Sequence, residues 1–206
     1  MTLLDWTIPD KPTFGGADVV VHEVTILSHM FHIVGLADPA VMEQPDGCSF
    51  GLGLELWPTS IQLAERILSG ERGRYRYALE LGCGLGLVAA AASRAGWLVT
   101  AVDHEQSTID FAALNAELNY ANDVTFRLMD WQTPEAATLP GRYYSRIWAS
   151  DVLYDEGDHE PVAKYIKDHL AADGCALIAD PGRKVADAFP ALARRHGFRV
   201  NVEAVA

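Results

Sequence analysis

The sequence predicts a doubly wound α/β fold: a mostly parallel sheet with helices on both faces and an N-terminal β extension. Three observations lead there. Strand-like and helix-like segments alternate from about residue 76 onward. The glycine-rich turn Gly82-Cys83-Gly84-Leu85-Gly86 stands where a strand pattern ends and a helix pattern opens. Half of the 206 residues are apolar, which is enough for a substantial core.

Each element follows from its local pattern. Residues 1–16 hold Pro9, Pro12, Gly15 and Gly16 and read as an irregular arm. Residues 17–36 are rich in β-branched and aromatic side chains and predict one or two strands. Pro39, Pro45 and Gly47 mark a loop to about residue 50. Residues 1–50 thus read as an arm and strands packed on a core over 51–206, a single domain overall. Ile61, Ala64, Ile67 and Leu68 have helical spacing, with Thr59 or Ser60 as cap and Gly70 as stop. A strand is predicted at 76–81, a helix over about 85–95, a strand at 97–103 and a helix over about 106–120. A strand at 124–129 precedes a loop with Pro134, Pro140 and Gly141, and residues 146–152 make a fourth strand. Pro161 suits the first turn of a helix through about Leu170. A fifth strand at 175–180, a helix at 185–195 and a sixth strand at 198–205 complete the pattern.

Composition narrows the function classes. Sixteen basic against 28 acidic side chains give a net charge of -12, which argues against a general nucleic-acid binder and permits a cationic partner. Cys48, Cys83 and Cys175 are too few and scattered for a disulfide framework or a zinc knuckle. MTLLDWTIPD does not read as a signal peptide, and no apolar run reaches the roughly 18 residues of a membrane span. A cytoplasmic, reduced protein without a membrane partner is expected. His29 and His32, three apart in a strand pattern, point to opposite faces and make a poor metal pair. The run Asp155-Glu156-Gly157-Asp158-His159-Glu160 lacks calcium-loop spacing. It reads as a solvated, acidic helix start, or as a lure for a cationic substrate. No metal site is expected.

The glycine turn carries the chemistry. Glycines allow a sharp turn and close ligand approach, and the helix N-terminus offers free N–H groups. Asp103 ends the next strand and can accept from ribose hydroxyls. Read from Gly84, the segment Gly84-x-Gly86-x-x-Ala89 fits a dinucleotide pattern. Read from Glu80, it is E-x-G-x-G-x-G, and that acid would help an ammonium but not a pyrophosphate. The second form resembles the first motif of class I S-adenosylmethionine-dependent methyltransferases, which implies a Rossmann-like core and that cofactor.

Further segments resemble the lysine-modifying group of that family over roughly residues 55–200. Trp57-Pro58 looks like its W-P segment, and Asp130-Trp131 like the acid–aromatic pair beside the adenine. Ser150-Asp151-Val152-Leu153-Tyr154 matches the (D/E)-x-x-(Y/F) motif of the group. Asp180-Pro181-Gly182-Arg183 resembles a segment of the branch that methylates the β-subunit of electron-transfer flavoprotein. The resemblance implies Asp151 and Tyr154 as catalytic residues. It implies Trp57, Glu80, Gly82, Gly84, Gly86, Asp103, His104, Asp130, Trp131 and Ser150 at the cofactor. The expected reaction is N-methylation of a lysine in a protein substrate. A small-molecule amine of similar chemistry and an NAD(P)-dependent oxidoreductase are the alternatives. One departure stands out: about eight residues follow the last helix, so the seventh strand is missing, replaced by the N-terminal strands, or lost with a truncated C-terminus.

Overall fold

The computed structural model describes residues 13–14, 17–38, 52–74, 76–133 and 143–204. The predicted loop over 39–50, most of the N-terminal arm, and Pro134, Pro140 and Gly141 lie outside them. The N-terminal pattern resolves into β1 (Thr13–Phe14), β2 (Ala17–Ile26) and β3 (His29–Leu36), an antiparallel sheet of its own. Ile26 pairs with His29 across a two-residue turn.

The main sheet comprises β4 (Tyr77–Leu81), β5 (Leu98–Asp103), β6 (Val124–Leu128), β7 (Tyr144–Ser150) and β8 (Leu170–Ala179). Its order is β6-β5-β4-β7-β8, with every pairing parallel. Successive strand residues point to opposite faces. Ala78, Val99, Ala101 and Trp148 therefore join α1 (Pro58–Leu68), α2 (Leu87–Arg94) and α3 (Gln106–Leu118) in one apolar layer. Leu79, Leu81, Val102, Ile147 and Ala149 meet α4 (Glu156–His169) and α5 (Phe189–Arg195) in the other. That is the doubly wound arrangement the sequence predicts.

Helix boundaries have local causes. Pro58 opens α1, where its fixed φ suits helix and its missing N–H is not needed. Residues 87–93 of α2 are all buried, and its alanine run lets it pack against both α1 and α3. α4 begins at Glu156, earlier than Pro161: the Asp155 side chain accepts from Gly157 N, and Glu156 and Asp158 complement the helix dipole. Pro161 is carried inside the helix. The last predicted helix divides into a 3-10 turn, Lys184–Ala188, and α5. β8 starts at Leu170, with a register irregularity opposite Tyr144 and Arg146.

The sixth strand expected at 198–205 does not form among the described residues, which end at 204. A strand needs a neighbour for its backbone groups. Residues 198–204 lie along no strand edge; Phe198 and Val200 turn half-buried toward the α4–α5 layer, and Arg194 Nη2 donates to Val200 O. The N-terminal strands do not replace a strand of the main sheet.

They are fastened elsewhere. Asn115 accepts from Val34 N (2.8 Å) and donates to the carbonyls of Val34 and Leu85 (both 2.9 Å). Asn119, four residues on, accepts from His32 N and donates to His32 O. Two side-chain amides thus stand in for a neighbouring strand along β3, and one of them also holds the glycine turn.

Candidate active site

Strand order reverses between β4 and β7, and in open α/β sheets ligands bind outside the strand ends at that switch point. The E-x-G-x-G-x-G segment begins in the last two residues of β4 and runs past its end, and Ser150-Asp151 straddles the end of β7. A pocket forms between them, lined among others by Trp57, Glu80, Gly82, Gly84, Leu85 and Ser150.

Gly82, Gly84 and Gly86 take φ of +64°, +49° and +78°, the left-handed region that a β-carbon disfavours. A β-carbon at Gly82 would stand 2.7 Å from Val152 Cγ1 and near the Trp131 ring. Glu80 is 2% exposed, and its Oε2 has no hydrogen-bond partner. Burial, and then the Asp103 charge, push its carboxyl well above the ordinary range. Asp103 accepts from Gly84 N at 3.1 Å and from Glu105 N at 3.3 Å, so it braces the turn it faces. His104 stands half exposed, 3.4 Å from Asp103, and that hydrogen-bonded contact raises its pKa against the effect of burial. Cys83 also lines the pocket, but burial pushes its thiol well up, so it is no nucleophile.

The aromatic wall is tied down by a residue the sequence analysis left in a solvated cluster. Asp158 of α4 is buried and accepts from Trp131 Nε1 (2.8 Å) and Gln132 Nε2 (2.6 Å). Trp131 is thereby held beside Gly82, with His104 at 6.5 Å between ring centroids. Asp130 caps Gln132 N at 2.8 Å. Trp57 donates from Nε1 to Leu52 O, which fixes its ring at the pocket.

Next to Ser150, which lines the pocket while Asp151 and Tyr154 do not, Asp151 is 8% exposed with φ +63°, a conformation Asp tolerates better than most residues. Its backbone turns off β7 there, which is why that strand stops at Ser150 rather than 152. Ser150 Oγ lies 3.1 Å from Thr59 Oγ1 and 3.2 Å from Asp151 Oδ2. Arg183 Nη1 reaches Asp151 Oδ1 at 2.8 Å and Asp180 Oδ2 at 3.0 Å. The first contact is an ion pair, and because a carboxylate oxygen carries two lone pairs, Oδ1 can still accept once more. Burial raises the Asp151 pKa, and Arg183 opposes it. Tyr154 is 45% exposed; burial and the carboxylates of Asp158, Asp103 and Glu105 raise its pKa, which keeps the phenol protonated.

Arg183, Asp158 and Asn115 are the residues whose roles sequence reasoning missed. Arg183 and Asp158 stand in segments that the sequence singles out for other reasons; the signal of Asn115 is an amide between Ala112 and Ala116 on the apolar stripe of a helix.

A sequence model described as lysine methyltransferase matches residues 38–189. A search of curated proteins finds no match. An S-adenosylmethionine-dependent methyltransferase from Agrobacterium tumefaciens superposes with a TM-score of 0.59 at 16% identity, over 85% of this chain and 57% of that one. Precorrin-6y C5,15-methyltransferase from Geobacter metallireducens gives 0.58 at 16%, over 70% and 75%. A TehB-like S-adenosylmethionine-dependent methyltransferase from Corynebacterium glutamicum gives 0.53 at 23%, over 70% and 74%. At these identities the structural likeness shows the fold, a Rossmann-like methyltransferase sheet. The sequence match spans most of the chain, and with the glycine turn and Asp151 at the ends of the two strands that flank the switch point, the chain belongs to the lysine methyltransferase family.

Proposed function

We propose that this methyltransferase moves a methyl group from S-adenosylmethionine to the side-chain amine of a lysine in a protein substrate. The observation that carries the reading is the pair of buried carboxyl groups at the switch point, Glu80 near the end of β4 with Oε2 unpartnered and Asp151 after β7. Its cofactor is S-adenosylmethionine, which when bound supplies an electrophilic methyl carbon on a sulfonium. The residues present fit that group. Glu80 and Asp103 offer acceptors to an ammonium and to ribose hydroxyls, and the turn from Gly82 to Gly86 admits close backbone approach. Trp57, His104, Asp130, Trp131 and Ser150 would border it.

The remaining work belongs to the chain. A lysine amine is protonated at neutral pH, with a reference pKa of about 10.4, and must lose that proton to attack. Apolar burial favours the neutral form. Asp151 Oδ1 accepts an amine N–H and aims the nitrogen lone pair; such orientation contributes on the order of 7–11 kcal/mol in good geometry. The protonated Tyr154 walls the mouth as a donor. Within the family, the similarity of residues 180–183 to the electron-transfer flavoprotein β-subunit branch supports that branch as the place to seek a substrate.

Labelled methyl transfer into a lysate, followed by peptide mass spectrometry, tests the reading; label on lysine supports it. Label confined to small amines, or stabilisation by NAD or NADP but not by S-adenosylhomocysteine, overturns it. Asp151→Asn keeps a residue tolerant of positive φ and is expected to lower transfer by about 10²–10⁴-fold. Cofactor affinity in that variant, measured by calorimetry, should not change.

A further inference from the structure

An ionised carboxylate beside the transferred methyl creates a difficulty: it steadies the amine as an ammonium, which has no lone pair to give. The structure contains a counterweight. Asp180 follows β8 directly, and its Oδ1 accepts from Gly182 N (2.8 Å) and Arg183 N (2.7 Å). Gly182, at φ +88°, completes a tight turn that sends the Arg183 side chain back over the sheet end. There its Nη1 meets Asp180 and Asp151 together, and its guanidinium lies 5.7 Å from the Trp57 ring centroid. One cation thus touches the acid after β7, the acid after β8 and the aromatic wall before α1. Asp180 spends its oxygens on two turn N–H groups and the guanidinium, whereas Asp151 Oδ1 meets only the guanidinium and has a second lone pair to offer.

We propose that Arg183 is a positioning residue that holds the Asp151 carboxylate in place and offsets its charge, so that Asp151 can orient an amine without keeping it protonated. This rests on the amine-transfer reading above. The charged and titratable groups facing Asp151 are Arg183 and Asp180 from the β8 end; Ser150 of its own strand and, through it, Thr59 of α1 supply only hydroxyls. Removing the guanidinium leaves two carboxylates uncompensated. Both Asp151 and a bound ammonium then release their protons at higher pH.

Two readouts test this in full-length protein. The first is the Asp151 carboxyl titration by NMR with S-adenosylhomocysteine bound, assigned with Asp151→Asn. The second is the pH profile of methyl transfer from tritiated S-adenosylmethionine into lysate protein. In Arg183→Met the Asp151 titration and the acid limb of the profile are both expected to rise, by about 1–3 pH units. Activity lost at neutral pH should return at higher pH, and Arg183→Lys should restore most of both positions. An unmoved Asp151 titration in Arg183→Met, or activity lost equally at every pH, overturns the proposal. So does an Arg183→Lys profile like that of Arg183→Met. If the wild type labels no amine while the Asp151 titration still shifts, the amine-transfer reading fails and the Arg183–Asp151 coupling stands.

Discussion

Glu80 places a carboxyl at 2% exposure with one oxygen unpartnered, an arrangement that costs stability unless something binds there. Its pKa is raised well above the ordinary value, chiefly by burial. A raised carboxyl means that the folded state binds more protons than the unfolded one, so this residue's contribution falls as pH climbs from the unfolded pKa through the folded one. Glu80→Gln is therefore expected to raise the melting temperature of the cofactor-free protein at alkaline pH and to flatten its decline. The same change removes a charged acceptor worth about 1.5–3 kcal/mol, so S-adenosylhomocysteine should bind about 10–100-fold more weakly. Thermal unfolding across pH, paired with calorimetry, reads both; a variant neither stabilised nor weakened in binding removes Glu80 from the site. The acid was legible in the E-x-G-x-G-x-G spacing. That its lone pair goes unmet depends on what α2 and β5 pack around it, and no spacing expresses that.

At the scale of elements, the N-terminal hairpin and the glycine turn are one unit, because Asn115 bonds both β3 and Leu85. Asn115→Ala strips partners from three backbone groups, each costing about 1–3 kcal/mol if left buried and unpaired. Denaturant unfolding should show a loss of several kcal/mol, and hydrogen exchange should quicken at Val34 and the turn. Exchange that quickens uniformly across the sheet would speak against this linkage. α2 has the opposite sensitivity: its alanines are 0–1% exposed between neighbours, so Ala91→Leu should destabilise by about 1–3 kcal/mol through overpacking. The alternation of strands and helices was readable from period alone. The starts of α4 and β8 were not, since a side-chain cap at Asp155 outweighed the usual place of Pro161.

Across the whole molecule, acids gather at the carboxyl ends of the main strands. Glu80, Asp103, Asp151 and Asp180 stand at or just past the carboxyl ends, whereas Arg76 and Arg146 stand toward the amino ends, sharing Glu71 and flanking the Trp97 ring. A net charge of -12 favours approach of a cationic partner, and under the proposed function that partner is a lysine-bearing protein. Steering of exposed charges is screened at roughly 8 Å in physiological salt. KM for a lysine-bearing protein acceptor should therefore rise with ionic strength while kcat changes little; a salt-independent KM would refute the steering. Among the described residues no helix is long and apolar enough to cross a membrane.

The sequence by itself determined the layered α/β architecture, the glycine turn and the acids at the strand ends, because those depend on short-range periodicity and on residue types at small fixed spacings. The tertiary structure decided which partners those residues meet. Asp180-Pro181-Gly182-Arg183 reads as a plain turn until β8 is laid beside β7 and the guanidinium lands on Asp151. Residues 198–204 have a strand's alternation, yet a ladder forms only where a neighbouring edge supplies its other half. The net acidity takes a definite form at the site: carboxyl groups at the strand ends with Arg183 set between Asp151 and Asp180.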